Sequence, residues 1–169
     1  PLFEPLALVL ARSDADAERF ASLGVPTDRI SVTGNVKYDL EADRRPLEWA
    51  EAVQSAVGGR PILVAGSTMD GEEALVIESV KRLGEGGEAP FLILAPRHPE
   101  RFDTVARLLS DRGLVFARRS AGEVPREGAD AFLIDTIGEL ARAYRLATVA
   151  FIGGSLVPTG GHNPLEPAV

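Results

Sequence analysis

Seven short, largely apolar runs alternate in this chain with segments whose apolar residues recur at helical spacing. The runs are "LALVLA" (6–11), "ISVTG" (30–34), "PILVAG" (61–66), "FLILA" (91–95), "LVFA" (114–117), "AFLI" (131–134) and "ATVAFIG" (147–153). Several are apolar at every position. A strand of that kind must be covered on both faces, which is the environment of a parallel sheet with crossover helices. Between the runs, Ser13 or Asp14 can cap a helix reaching Phe20. Leu47, Ala50, Val53 and Val57 form one apolar stripe, and Val76, Ile77, Val80 and Leu83 form another. Phe102, Val105, Ala106 and Leu109 fall at i, i+3, i+4 and i+7, as do Ile137, Leu140, Ala141 and Tyr144. The alternation predicts a doubly wound α/β fold, a Rossmann-like parallel sheet with helices on both faces and right-handed crossovers.

A length of 169 residues fits one domain or a domain and a part of another, and 45% hydrophobic residues suffice for a core. The stretch "TGNVKYDLEADRRP" (33–46) ends a strand and runs through charged residues with no apolar period. It reads as a linker over 36–45. Residues 1–35 are then the end of a preceding domain and 46–169 a second, incomplete one. A long surface loop inside one domain is the alternative. A net charge of −7 argues against a general nucleic-acid binder. With no cysteine there is no disulfide framework and no thiolate metal site. No charged leader precedes the first apolar stretch, and no apolar run approaches the roughly 18 residues of a spanning helix. A soluble chain is expected.

Ligands of open α/β sheets bind beyond the carboxyl ends of the strands, so the strand ends are the places to look. The run at 61–66 ends in "AGSTMDGEEA". Ser67 or Thr68 can cap the next helix, with Asp70, Glu72 and Glu73 in its first turn; the functional reading adds Gly66 and Ser67 as ligand contacts. The run at 91–95 ends in "APRHPER". Pro96 and Pro99 stiffen this turn, and Arg97 leaves it in a direction suited to a phosphate. His98 is a capping residue or a ligand contact. Residues 97–126 hold seven arginines against four acids. Apart from Arg97, most are expected to be solvated. The run at 131–134 ends in "DTIGELARAY", where Thr136 and Glu139 have the spacing of a capping box and the helix start could receive an anion.

The last run ends in "GGSLVPTGGHNPLEPAV". Gly153-Gly154 and Gly160-Gly161 let backbone approach a ligand closely. Asn163 can cap a helix with Pro164 at its first position and Glu166 at its third. A structural account needs one glycine pair, so the binding reading leads here: glycine amides, Gly161 among them, face a phosphate, and Glu166 holds a diol such as a ribose. Other motifs fail. "GGSLV" lacks the last glycine of a nucleophile elbow, no phosphate-loop or dinucleotide fingerprint occurs, and His98 and His162 lack metal-site spacing.

Four stretches in this order, "TGNVKYD", "GSTMDGEEALV", "LAPRHPERF" and "DTIGELARAYRLATVAFIGGSLVPTGGHNPLEPA", together resemble the 3-deoxy-D-manno-octulosonic acid (Kdo) transferases of lipopolysaccharide synthesis. The resemblance runs from about Leu6 to the last residue. It implies the two-domain GT-B type of glycosyltransferase, transferring Kdo from CMP-Kdo to a lipid A precursor at the cytoplasmic face of the bacterial inner membrane. It implies nucleotide contacts at Pro96 and Arg97, at Ile137, Gly138 and Glu139, and at Gly154, Ser155, Asn163 and Glu166. The family's candidate catalytic carboxylate lies early in the N-terminal domain, and no position here corresponds to it. No residue of this chain is therefore expected to be catalytic, the chain alone is expected to be inactive, and acceptor and membrane contacts are expected in the part it does not contain. No cofactor and no metal are called for. Another GT-B enzyme with a UDP-sugar, or a noncatalytic nucleotide-binding α/β module, is the alternative.

Overall fold

The computed structural model describes residues 3, 5–35, 39 and 43–168, the side chain of residue 166 excepted. The chain divides into two compact units, Pro1–Glu41 and Ala42–Ala168. Most of the expected linker, residues 36–38 and 40–42, lies outside the described residues.

The first unit is a βαβ element. Strand β1 (Val9–Ala11) leads into helix α1 (Asp14–Ser22), then a 3₁₀ turn (Thr27–Arg29) and strand β2 (Ile30–Val32). The strands are parallel, with Val9 opposite Ile30 and Ala11 opposite Val32. Ser13 caps α1 as expected, its side chain accepting the Asp16 N–H at 3.2 Å.

The second unit holds five parallel strands: β3 (Ile62–Thr68), β4 (Phe91–Pro96), β5 (Phe116–Arg118), β6 (Ala131–Leu133) and β7 (Val149–Ile152), in spatial order β5-β6-β4-β3-β7. All seven expected strands are present. Side chains alternate between two cores, as the two-residue period of a strand requires. Ile62, Val64, Phe91, Ile93, Phe132 and Ile134 face one side. There they meet Trp49, Val53 and Val57 of helix α2 (Ala50–Val57) and its lead-in, together with Ala143 and Tyr144. Leu63, Ala65, Leu92, Leu94, Ala131 and Leu133 face the other side. They meet Val76, Ile77 and Val80 of α3 (Glu72–Glu85) and Val105, Ala106 and Leu109 of α4 (Phe102–Asp111). The expected helices on both faces are therefore present.

Three local expectations are corrected. Helix α5 is only Leu140–Ala143, followed by a 3₁₀ turn (Tyr144–Leu146). Ile137 lies before it and is 85% exposed, although its spacing matched Leu140 and Tyr144. No capping box forms: the Thr136 hydroxyl donates to the Glu139 carboxylate itself, and the cap position is Glu139 with no side-chain cap bond. Helix α3 is capped by neither Ser67 nor Thr68. Gly71, in the left-handed conformation (φ 89°), holds that position, because the chain needs two further residues to turn from β3 into the helix.

Candidate functional site

The strand order sets where a ligand can lie. From β3 the chain moves to β4 on one side, and from β6 it returns to β7 on the other side of β3. The reversal opens a crevice at the carboxyl ends of β3 and β7, the place where ligands bind in open α/β sheets.

Next to it, a cleft of about 350 Å³ is lined by Ser67, Pro96, Arg97, Ile137, Gly138 and Leu140, among others. It collects five of the sequence-derived candidates from three strand ends. Ser67 sits there with φ 54°, a left-handed conformation that strains a side-chain-bearing residue. Arg97 is exposed, and its backbone N–H donates to the Thr68 carbonyl at 3.0 Å. Among the described residues its side chain has no ion pair and no hydrogen bond.

That isolation is unusual in this stretch. The expectation of a mostly solvated arginine group is corrected, because four members are tied into ion pairs. Arg101 holds Glu73 at 2.6 Å and Asp70 at 2.9 Å. Arg112 reaches Glu78 at 3.8 Å. Arg118 bridges Asp103, at 2.6 Å, and the buried Asp135. Arg119 holds Glu139 at 3.1 Å. Arg97 is left as the cationic side chain of the cleft.

The loop after β7 is built differently from the expected phosphate cradle. The Gly153 N–H donates to the Gly66 carbonyl at 2.8 Å, Gly161 N–H to the Gly154 carbonyl at 2.8 Å, and His162 N–H to the Gly153 carbonyl at 3.1 Å. Gly154 and Leu156 donate to the Glu72 carboxylate at 2.8 and 2.9 Å. These amides are taken up by the protein itself, those of Gly161 and His162 within the loop and those of Gly153, Gly154 and Leu156 by β3 and Glu72. The picture of glycine amides facing a phosphate is therefore corrected for Gly153, Gly154 and Gly161. The glycines are needed for space and conformation instead. A Cβ on Gly153 would lie 1.9 Å from the Ser67 carbonyl oxygen, and one on Gly154 would meet His162 at 2.9 Å with φ already at 78°. The His162 Nδ1 is 2.6 Å from the Gly153 carbonyl; a carbonyl only accepts, so Nδ1 carries the proton and donates.

The remaining candidates are distributed as follows. Gly66 is buried under Tyr144, where a Cβ would fall 2.0 Å from the phenol oxygen. Exposed Ser155 donates its hydroxyl to the Ile152 carbonyl at 2.6 Å. Asn163 accepts the Leu165 N–H at 3.1 Å, ahead of a 3₁₀ turn (Glu166–Ala168). The Glu166 side chain lies outside the described residues. The Glu139 carboxylate takes donors from Trp49 Nε1 at 3.0 Å, from Arg119 and from Thr136. Burial works to raise its pKa, but these donors together hold it below the usual carboxylate range.

Two acids that looked like helix-start decoration are fully inside. Glu72 and Glu73 are 0% and 1% exposed. Glu72 accepts the Met69 N–H at 2.8 Å in addition to those of Gly154 and Leu156. Burial favours its neutral form, yet the backbone N–H groups of Leu156, Gly154, Met69 and Ser155 keep it below the usual range. Glu73 accepts the Thr68 hydroxyl at 2.8 Å and both arms of Arg101. One acid thus joins the ends of β3 and β7, and the other joins β3 to the turn after β4. Both partners are distant in the chain, and adjacent acids after a glycine carry no sign of them.

Comparison with known proteins identifies the chain's relatives. A family profile described as "3-Deoxy-D-manno-octulosonic-acid transferase (kdotransferase)" matches residues 1–40. The 3-deoxy-D-manno-octulosonic acid transferase of Haemophilus influenzae is 40% identical over 98% of this chain and 39% of its own length. That of Bordetella pertussis is 40% identical over 94% of this chain and 37% of its own. Over nearly its whole length this chain is similar to the Kdo transferases. The C-terminal CMP-Kdo binding domain of WaaA from Acinetobacter baumannii superposes with a TM-score of 0.62 at 36% identity, covering 69% of this chain and 63% of that one. The α/β class of GT-B type read from the sequence holds with that neighbour. The chain spans about two fifths of the length of these curated relatives.

Proposed function

We propose that this chain carries the donor-nucleotide side of an enzyme that transfers Kdo from CMP-Kdo to a lipid A precursor in lipopolysaccharide synthesis. The observation that carries the reading is the cleft at the ends of β3, β4 and β6, with Ser67, Pro96, Ile137 and Gly138 around the unpaired Arg97. A guanidinium with no partner among the described residues, at a strand-end cleft, is the chemistry a nucleotide phosphate requires.

In this reading an acceptor hydroxyl displaces CMP at the anomeric carbon of Kdo. A base outside residues 1–169 takes its proton, and Arg97 stabilises the charge that develops on the departing phosphate. The glycine loop and Asn163 close the other side of the nucleotide, with Glu166 on the ribose. Residues 1–35 are the end of the acceptor-binding N-terminal domain, 36–45 the linker and 46–169 the donor domain. The whole enzyme works at the cytoplasmic side of the inner membrane, and its acceptor and membrane contacts lie outside this chain. Among the described residues, no helix is long and apolar enough to cross a membrane.

Calorimetric titration of residues 1–169 with CMP and with UMP tests the reading. Binding of CMP with clearly weaker binding of UMP is expected, without Kdo transfer by this chain alone. Equal binding of the two would favour a UDP-sugar enzyme, and no binding of either would overturn the donor-site assignment.

A further inference from the structure

Glu72 makes more bonds than a helix start needs. A glutamate in the first turn of a helix commonly reaches back to one backbone N–H, and Met69 supplies that donor at 2.8 Å. The same carboxylate also accepts Gly154 and Leu156 N–H, 82 and 84 residues further along the chain. A fully buried carboxylate is tolerated only where such donors replace water, and here those of Gly154 and Leu156 come from the loop after β7. That loop presses on the strained end of β3, since the Gly153 Cα leaves no room for a Cβ beside the Ser67 carbonyl. A glycine-rich loop with free amides attracts anions. Glu72 is a resident anion that already holds them.

Taking the cleft as the donor site, we propose that Glu72 is a positioning residue of that site. It locks the loop after β7 to the end of β3, and by occupying the loop's amides it leaves the donor phosphate to Arg97. Glu72 touches no ligand in this scheme. It acts through Met69, two residues beyond Ser67, on one side and Gly154 and Leu156 on the other, which is why its effect is separable from that of Arg97.

The test is Glu72→Gln in residues 1–169, read by amide hydrogen exchange and by CMP titration. The amide keeps the shape and one accepting oxygen but turns an NH₂ group towards backbone donors. Protection at Gly154 and Leu156 is expected to fall at least tenfold while Ile93 in β4 keeps its protection, and CMP affinity is expected to fall at least tenfold. If Glu72→Gln does not fold, Glu72→Asp gives the same comparison, because the charge stays and the reach is one methylene shorter. Unchanged protection at Gly154 and Leu156 overturns the assignment. So does lost protection with unchanged CMP affinity. Failure of the unsubstituted chain to bind CMP overturns the donor-site reading itself, and Glu72's role with it, which keeps the two failures distinct.

Discussion

The Glu73 carboxylate lies 2.6 Å from the Arg101 guanidinium, with the Glu73 side chain 1% exposed and that of Arg101 17% exposed. The contact spans 28 residues and joins α3 to the turn after β4. Removing one partner of such a pair strands the other charge. Arg101→Ala is expected to cost about 3–5 kcal/mol in urea unfolding, far more than a surface ion pair. Glu73→Gln combined with Arg101→Ala should recover part of that loss, since the buried charge is then gone. A double variant as unstable as the sum of the two single ones would contradict the coupling.

Acid should destabilise the second unit in a defined window. Burial alone would raise the pKa values of Glu72, Asp135 and Glu139. In each, hydrogen bonds prevail and hold the carboxylate below its ordinary range: backbone N–H groups for Glu72, Ser120 and Arg118 for Asp135, and Thr136, Trp49 and Arg119 for Glu139. A folded-state value below the unfolded one, roughly 4, stabilises the fold above that pH, and the gain is lost as pH falls through the folded value. Stability in urea should therefore hold from pH 7 to about pH 5 and decline steadily below. An unfolding free energy unchanged between pH 5 and pH 3 would contradict it.

How far these features were legible in the sequence depends on how local their causes are. The strands were, because burial on both faces writes continuous apolar runs such as "FLILA", and Ile93 and Leu94 do face opposite cores. The cleft was legible in part, because Ser67 lies at the carboxyl end of β3, and Arg97 and Gly138 follow β4 and β6, which end on the same edge of the sheet. Helix α5 was not. Ile137 has the right spacing, but Thr136 and Glu139 bond to each other and the helix starts only at Leu140. Nor were the pairings of Glu72, Glu73 and Asp135, which join residues brought together only by the sheet order. The glycine pairs were legible as points of close approach only in part: Gly153 packs on the Ser67 backbone and Gly154 on His162, while Gly160 has nothing within 4 Å of a Cβ.

Ser67 trades stability for position. Its φ of 54° costs a side-chain-bearing residue about 1 kcal/mol. Ser67→Gly should raise the unfolding free energy by roughly that amount and weaken CMP binding at the same time, since the hydroxyl at the cleft is lost. Thermal melts with and without CMP separate the two effects. A variant that is more stable and binds CMP equally well would remove Ser67 from the site.

The two glycine pairs should respond very differently to an added methyl group. Gly153→Ala would place a carbon 1.9 Å from the Ser67 carbonyl oxygen and 2.4 Å from its carbon, both backbone atoms of a sheet strand. The strand or the loop must move, at a cost of about 3 kcal/mol. Gly160 has nothing within 4 Å of a Cβ and only its φ of 93° to oppose a side chain, so Gly160→Ala should cost about 1 kcal/mol. Urea unfolding of both variants measures the difference. Equal losses would mean that the contact between the loop after β7 and the end of β3 is not maintained in solution.

Arg97→Ala isolates the phosphate contact from the fold. The side chain is exposed and makes no ion pair or hydrogen bond among the described residues. Its loss should change unfolding free energy by no more than about 0.5 kcal/mol. A charge-assisted bond to phosphate is worth about 1.5–3 kcal/mol, so CMP affinity should fall at least about tenfold. The neighbouring Arg101→Ala should show the opposite balance at the fold level, with a large stability loss whatever its effect on binding. The contribution of Arg97 should also shrink as salt rises, because the contact is exposed to screening. Cytidine serves as the phosphate-free control, and it should bind Arg97→Ala and the unsubstituted chain equally. If CMP binds Arg97→Ala as tightly as the unsubstituted chain, the phosphate lies elsewhere, and the unpaired arginine of the cleft is a surface charge.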